Sequence, residues 1–469
     1  MVEPGAAAEI ADPHLAAGAG PAGHRDVVMF RALAAIAFIV LFYLARTMTF
    51  RTDDWDLIAN VSLSDPISLF RPHNEQWLTI PALLFRAVFL VVGMHTYLPY
   101  IVGLLLVHIA TAAGMGRLVG ALSGPLPGLL ASVVVLFLGS ACEVLGQAIG
   151  LGVVLGTGAG LWALDALIVR RRHRRAAVLL LVSLMSHPVG VVFLGMAFVI
   201  ALARDRDAIA YLFVPTAIFL TWFVLFDVPV LAQRSETLSR NLAEIPPFIA
   251  GGIAAAAGAA FGFGPVVGIA LAAVLAYLVF RVGRRPEHLI VFVAAVLGLV
   301  GLYGLIAVSR GQFGVLSLLW SRYFYLSVPL VLLAVAGWFG HPASLVPDRR
   351  SRLAPVLIGL TTVAVVGNLR YYVLARDQLM EPTHQTRAAV AIASWATDLH
   401  DWHQELFMPG IDEVRALVAA HGDLTRDAWL PVVVPPVPPS IAADMCRQLV
   451  PGDERQAACV EAVARGVGG

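Results

Sequence analysis

Two carboxylates stand side by side at Asp53 and Asp54, within Arg51-Thr-Asp-Asp-Trp-Asp56. A second polar cluster follows at Arg71-Pro-His-Asn-Glu-Gln-Trp77. Both lie just after the first apolar run of membrane length. Neighbouring carboxylates repel, which tends to raise one pKa, and burial adds to this. A carboxylate poised in that way can act as a general base on a hydroxyl. Its partner could orient that base or help hold a divalent cation. The same pair also suits a helix N-terminus, capping a turn that begins at Trp55. Charge beside a hydrocarbon-rich segment is costly unless it is used, so this loop is the first place to look for chemistry.

Further candidates follow along the chain. His73 and Glu75 sit on an irregular segment after Pro72; they would point apart on a strand but could converge in a fold. Glu75 is a second candidate acid or metal partner, and Trp77 suits either stacking on a sugar ring or an interfacial belt. Glu143 follows Gly139-Ser-Ala-Cys142 at the end of an apolar run. His187, in Ser186-His-Pro-Val-Gly190, occupies a turn between two short apolar segments, where it is either structural or faces a cavity. Arg310 and Arg322, the latter in Ser321-Arg322-Tyr323, bracket a late loop. A guanidinium at such a boundary can clamp a phosphate through its planar fork, or simply snorkel towards headgroups.

These residues need a scaffold, and composition decides its class. The chain of 469 residues is 59% hydrophobic and 13% charged, with a mean hydropathy of +0.81. Soluble domains are roughly 25% charged, so an all-α, polytopic transmembrane bundle is expected. A formal charge of +1 gives no reason to expect nucleic acid. All 32 basic residues are arginine, which with the Ala/Gly-rich composition suggests a GC-rich bacterial genome. A span needs about 20 apolar residues. The candidates are 27–45, 98–118, 124–139, 147–169, 176–186, 188–203, 208–226, 248–280, 289–308, 324–340 and 354–374, eleven in all. The pieces 176–186 and 188–203 read as tilted half-length helices, and 248–280 as beginning with a helix outside the membrane core.

With the N-terminus cytoplasmic, this count places Arg117, Arg170–Arg175, Arg204, Arg206, Arg281, Arg284, Arg285, Arg349, Arg350 and Arg352 inside, as the positive-inside rule requires. Counting Trp77–Val92 as a span would reverse that, so it reads as an interfacial helix. Residues 1–24 read as a disordered cytoplasmic tail and 25–374 as the transmembrane domain. Positions 46–97 form its first external loop, and 375–469 a small external region. The last contains helices at 388–399 and 411–420 and a proline-rich linker at 432–439. Cys446 and Cys459 suit a disulfide if that region meets an oxidising compartment; Cys142 reads as an apolar filler.

In order and placement, Asp53-Asp54, the Trp77–Val92 helix, Glu143, Ser-His-Pro at 186–188 and Ser-Arg-Tyr at 321–323 resemble the GT-C superfamily of integral-membrane glycosyltransferases. The likeness spans roughly residues 27–340 and rests on short motifs and topology together. It implies transfer of a sugar from a polyprenyl-phosphate donor to an envelope glycan, lipid or protein acceptor, on the outer face of a bacterial plasma membrane. Asp53 or Asp54 would then be the catalytic carboxylate, with Glu75 beside it. Arg310 and Arg322 would hold the donor phosphate, and Arg51, His73, Trp77, Glu143, His187 and Tyr323 would line the donor and acceptor sites. Metal dependence varies in that superfamily, so a divalent cation is left open. The competing readings are a transporter or flippase for a lipid-linked or anionic substrate, and a non-catalytic assembly protein with the same fold. A transporter would place charges mid-span and show internal repeats; no repeat is evident here, and the charges sit at span ends.

Overall fold

The computed structural model describes residues 24–232, 240–281, 286–340, 347–400, 408–422 and 436–465. Every regular element among them is helical, which is one of the two ways an apolar chain can satisfy its backbone without water. In chain order the longer helices are α1 (His24–Ala45), α2 (Thr52–Asn60), α3 (Thr79–Val92), α4 (Leu98–Ser123), α5 (Pro125–Leu136), α6 (Gly150–Ile168), α7 (His173–Leu184), α8 (Val189–Arg204), α9 (Ala208–Trp222), α10 (Ile245–Ala259), α11 (Pro265–Arg281), α12 (Pro286–Arg310), α13 (Arg322–Phe339), α14 (Pro347–Trp395), α15 (Ile411–His421), α16 (Pro439–Leu449) and α17 (Asp453–Arg465).

Among the described residues, eight helical stretches are long and apolar enough to cross a membrane. They are α1, α4, α5 continued to Leu145, α6, α9 continued to Val230, α12, α13 and the part of α14 from Leu353. Length and composition thus mark a multi-pass membrane protein. The other three expected spans fall on shorter helices. Positions 176–186 and 188–203 correspond to α7 and α8, of 12 and 16 residues. Positions 248–280 form two helices, α10 and α11, joined by a turn in which Gly262 has φ +67°. The pair closes on glycine: a Cβ on Gly268 would lie 2.0 Å from the Ala254 carbonyl oxygen.

The tip of this hairpin is tied to the rest by one amide. Asn368 on α14 donates to the carbonyls of Ala259 (3.3 Å) and Ala260 (3.1 Å), while its Oδ1 accepts the Ser140 N–H at 2.8 Å. The Ser140 hydroxyl donates to the Ala259 carbonyl at 3.0 Å. These four polar groups satisfy one another inside an apolar bundle, where an unpaired group would cost several kcal/mol. The loop around 227–247 is described only in part, and Arg234 and Glu236 lie outside the described residues. Asn241 anchors its end by donating to the Val308 carbonyl at 2.9 Å.

α3 covers 79–92 of the stretch read as an interfacial helix. Its 14 residues are too few to span. Ala82, Phe85, Phe89 and Val92 are buried, while Leu83, Leu84, Leu90 and Val91 are exposed. One face therefore packs on protein and the other offers hydrocarbon outward. Arg86, the charge in its middle, turns back and donates to the Ile58 carbonyl of α2 at 2.9 Å.

The separate helices expected at 354–374 and 388–399 are one. α14 runs for 49 residues, about 74 Å at 1.5 Å per residue. Its C-terminal half is gripped by the segment before α2. Arg387 donates to the Thr47 carbonyl at 3.0 Å, and Arg51 donates to the Leu379 carbonyl at 2.9 Å. The C-terminal helices pack onto the same body: the Met94 N–H donates to the His421 carbonyl at 2.7 Å, and Phe89 lies against the His421 ring. Cys446 and Cys459 form a disulfide between α16 and α17, and Cys142 is free and buried. Residues 1–23 and positions 432–435 of the expected linker lie outside the described residues.

Candidate functional site

The polar residues of the first loop converge because α2 is one short helix whose adjacent side chains diverge by about 100°. Asp54 faces inward and is fully buried. Its Oδ2 accepts the Tyr97 hydroxyl at 2.7 Å and the Arg51 N–H at 3.2 Å, and its Oδ1 accepts the Ile149 N–H at 2.9 Å. Burial pushes its carboxyl up to about 6, against the pull of those three bonds. Asp54 therefore closes the N-terminus of α2, which begins at Thr52 rather than at Trp55, and joins it to α4 and α6.

Asp53 faces the other way, with 35% of its side chain exposed. Its Oδ1 accepts the Asn74 amide at 3.2 Å and lies 3.5 Å from His73 Nε2. The other ring nitrogen of His73, Nδ1, is hydrogen-bonded to Asp56, whose Oδ1 accepts the Asn60 amide at 2.5 Å. The imidazole thus sits between two carboxylates. Burial alone would favour its neutral form, but the two hydrogen bonds and charges raise it to about 9. Burial likewise pushes Asp53 and Asp56 upward, and bonding to His73 outweighs it, leaving both below the ordinary carboxylate range. At neutral pH the trio is two carboxylates and one imidazolium.

His73 reaches this position from a tight turn. The His73 and Gln76 backbones exchange both hydrogen bonds, at 3.0 and 2.9 Å. Between them Asn74 and Glu75 have φ +48° and +66°. Asn tolerates that left-handed region well, while Glu does so at a cost of order 1–3 kcal/mol. The turn aims Glu75 at the late loop, where Arg310 Nη1 lies 3.4 Å from its Oε2. Glu75 and His73, which would diverge on a strand, therefore both join the cluster.

The second arginine is held in a parallel way. Arg322 Nη2 pairs with Glu143 Oε1 at 3.1 Å and its guanidinium lies 4.9 Å above the Trp320 ring. The Glu143 backbone N–H donates to the Ser321 hydroxyl at 3.0 Å. Arg322 is close enough for its charge to pull Asp53 down. One locality thus gathers Asp53, Asp56, His73, Asn74, Glu75, Glu143, Arg310 and Arg322.

Other expected site residues serve packing. Trp77 is 3% exposed; it stacks on Trp222 at 4.9 Å and donates to Thr79 at 2.6 Å, which leaves no ring face for a ligand. Arg51 is buried against Asp54 and α14. Tyr323 is buried beside Trp320, 6.0 Å between ring centres, yet lies within reach of the charges of Arg322, Arg310 and Glu143. His187 accepts the Val189 N–H at 3.1 Å, capping α8, and joins none of the acidic residues. Sequence reasoning missed Asn74 and the pairing role of Asp56. An Asn in a Pro-His-Asn-Glu-Gln run is a turn signal, and it was the available clue. The long-range partners Tyr97 and Ile149 carried none.

Among the described residues no group of three or more His, Cys, Asp or Glu side chains is arranged around a metal position. The His73 ring stands between Asp53 and Asp56 and contacts both carboxylates. Family models, curated proteins and solved structures give no match to the chain.

Proposed function

We propose that this protein is a membrane glycosyltransferase of GT-C type, moving a sugar from a polyprenyl-phosphate donor to an envelope acceptor at the outer face of a bacterial plasma membrane. The observation that carries this reading is the pairing of a half-exposed, imidazolium-braced carboxylate with two arginines. Asp53 is the member of the Asp53-Asp54 pair open to a substrate; the raised carboxyl expected of the base falls instead on buried Asp54, so Asp53, lowered by His73, acts as the weaker base of the two. It accepts the proton of the acceptor hydroxyl as that oxygen bonds to the anomeric carbon. The bond from that carbon to the phosphate oxygen breaks, and the electron pair leaves with the lipid phosphate. Phosphate leaves readily, so cations around the departing charge matter more than an acid. Arg310 and Arg322 supply them, exchanging Glu75 and Glu143 for phosphate oxygens.

The arginines of the intervening turns support the orientation. Arg117 lies in the C-terminal part of α4, and Arg170–Arg175, Arg204 and Arg206 lie around the ends of α6, α7 and α8; an inside location for them would put Asp53 outside. The transfer is tested with labelled polyprenyl-phosphate sugar on purified protein. Asp53→Asn is expected to lower transfer by at least ~100-fold, the scale of a lost general base. Unchanged transfer in that variant removes Asp53 from the reaction, and movement of substrate without bond cleavage would identify a transporter.

A further inference from the structure

Beyond the acidic locality, the molecule offers a second polar concavity, at the outer end of α14. Trp395 closes that helix with 37% of its surface exposed. A cleft of about 350 Å³ lies on one side of it, bounded by Thr397, Glu454 and Arg455. A second of about 330 Å³ shares Trp395, Ala396 and Thr397 with it and is bounded further by Ser394 and Arg415. Each is at the small end of the range for small-molecule sites. An exposed indole at a helix end is usually an interfacial anchor, but its surroundings here differ from that case. The rims carry both signs, with Arg455 3.3 Å from Asp398 and Arg415 2.7 Å from Asp412. A lipid phosphate or another anion would meet carboxylates at these edges.

The lining instead matches a neutral polyhydroxylated ring. Such a ligand presents apolar C–H faces, which an indole covers, and hydroxyls that need donors and acceptors together. The platform is also rigid. Arg415 donates to the carbonyls of Ala393 (2.8 Å) and Ala396, closing the end of α14. The Cys446–Cys459 disulfide fixes α17, which carries Glu454 and Arg455. Trp395 lies about 24 Å further along α14 than Leu379, the residue bonded to Arg51, at 1.5 Å per residue.

We propose that the clefts flanking Trp395 form a docking site for a neutral glycan, which presents the acceptor to the locality of Asp53; the acceptor role rests on the glycosyltransferase reading above. The probes are neutral tetrasaccharides of hexose and of pentose, added to full-length protein in nanodiscs and followed by saturation-transfer NMR. Transfer to sugar ring protons is expected in the wild type. It should fall at least ~10-fold in Trp395→Ala and in Glu454→Gln, the second variant guarding against loss of fold. Absence of binding by both probes, or wild-type binding in Trp395→Ala and Glu454→Gln, overturns the proposal. So does quenching by brominated lipids of the fluorescence that Trp395→Phe removes, since the indole would then sit among headgroups. Binding at Trp395 in a protein without transfer activity upholds the docking site and sinks only the enzymatic reading.

Discussion

Replacing His73 by Gln tests whether the first loop is held by charge. In the folded protein the imidazole sits at about 9 instead of 6.5. That difference is worth about 3 kcal/mol at 1.36 kcal/mol per unit. The lowered carboxylates of Asp53 and Asp56 report the same interaction from its other side, so the figure is counted once. A group raised on folding contributes stability that is complete below its unfolded pKa and disappears as pH climbs through the folded value. The contribution is therefore full below about pH 6.5 and gone above about pH 9. Unfolding of purified wild-type protein, followed by tryptophan fluorescence in guanidinium, is expected to lose about 3 kcal/mol across that window. His73→Gln, which keeps a hydrogen-bonding side chain without the charge, should show no such loss and should match the wild type near pH 9.5. If both proteins lose stability equally between pH 6.5 and 9, the imidazolium does not brace Asp53 and Asp56.

Three further outcomes follow from the same contacts. Asp54→Asn should abolish a second pH dependence, of the same sign as that of His73 but at lower pH: with its carboxyl raised to about 6, wild-type Asp54 favours the fold below its ordinary range, and that contribution fades as pH rises through 6; stability measured from pH 4 to 7 should flatten in the variant. A Cβ on Gly139 would stand 1.9 Å from the Asn368 carbonyl oxygen, so Gly139→Ala should destabilise by roughly 1–3 kcal/mol, the usual range for overpacking, and a thermal midpoint as high as that of the wild type would contradict the packing. Cys446→Ser with Cys459→Ser opens a loop of sequence separation 13 and should cost about 3 kcal/mol; its readout is faster proteolysis within α16 and α17, and an unchanged digestion pattern would show the bridge to be dispensable.

The class of this fold was legible because hydropathy acts residue by residue. Eight of the expected spans reappear as long apolar helices, and α3, which the arginine balance excludes as a span, has only 14 residues. What composition could not give was continuity. Nothing in 375–387 says that α14 carries on; its reason is the grip of Arg51 and Arg387, contacts more than 300 positions apart in sequence. The hairpin of α10 and α11 was concealed similarly, because Ala/Gly-rich helices look alike whether they run straight or fold back, and the closing contact is Asn368. At the site, residue types were readable and partners were not. Arg310 and Arg322 were chosen as phosphate clamps, while their pairing with Glu75 and Glu143 depends on a left-handed turn and a distant serine.

The division of labour between Asp53 and Asp54 is a consequence of helical geometry and not of their chemistry. Two identical carboxylates at the start of one helix point in directions about 100° apart, so only one can face the protein interior. Whichever does so meets low dielectric and must collect hydrogen bonds; Asp54 takes three, from Tyr97, Arg51 and Ile149. The other is left with solvent on one side and is stabilised by charge from His73. The inward carboxylate holds α2 against α4 and α6, and this fixes the direction of the outward one. Asp54 is accordingly a positioning residue. Asp54→Asn should lower transfer through a misplaced Asp53, raising the requirement for acceptor, whereas Asp53→Asn should lower the rate at saturating acceptor. Finding the two variants with the same kinetic signature would mean that both carboxylates touch substrate, which the buried environment of Asp54 forbids.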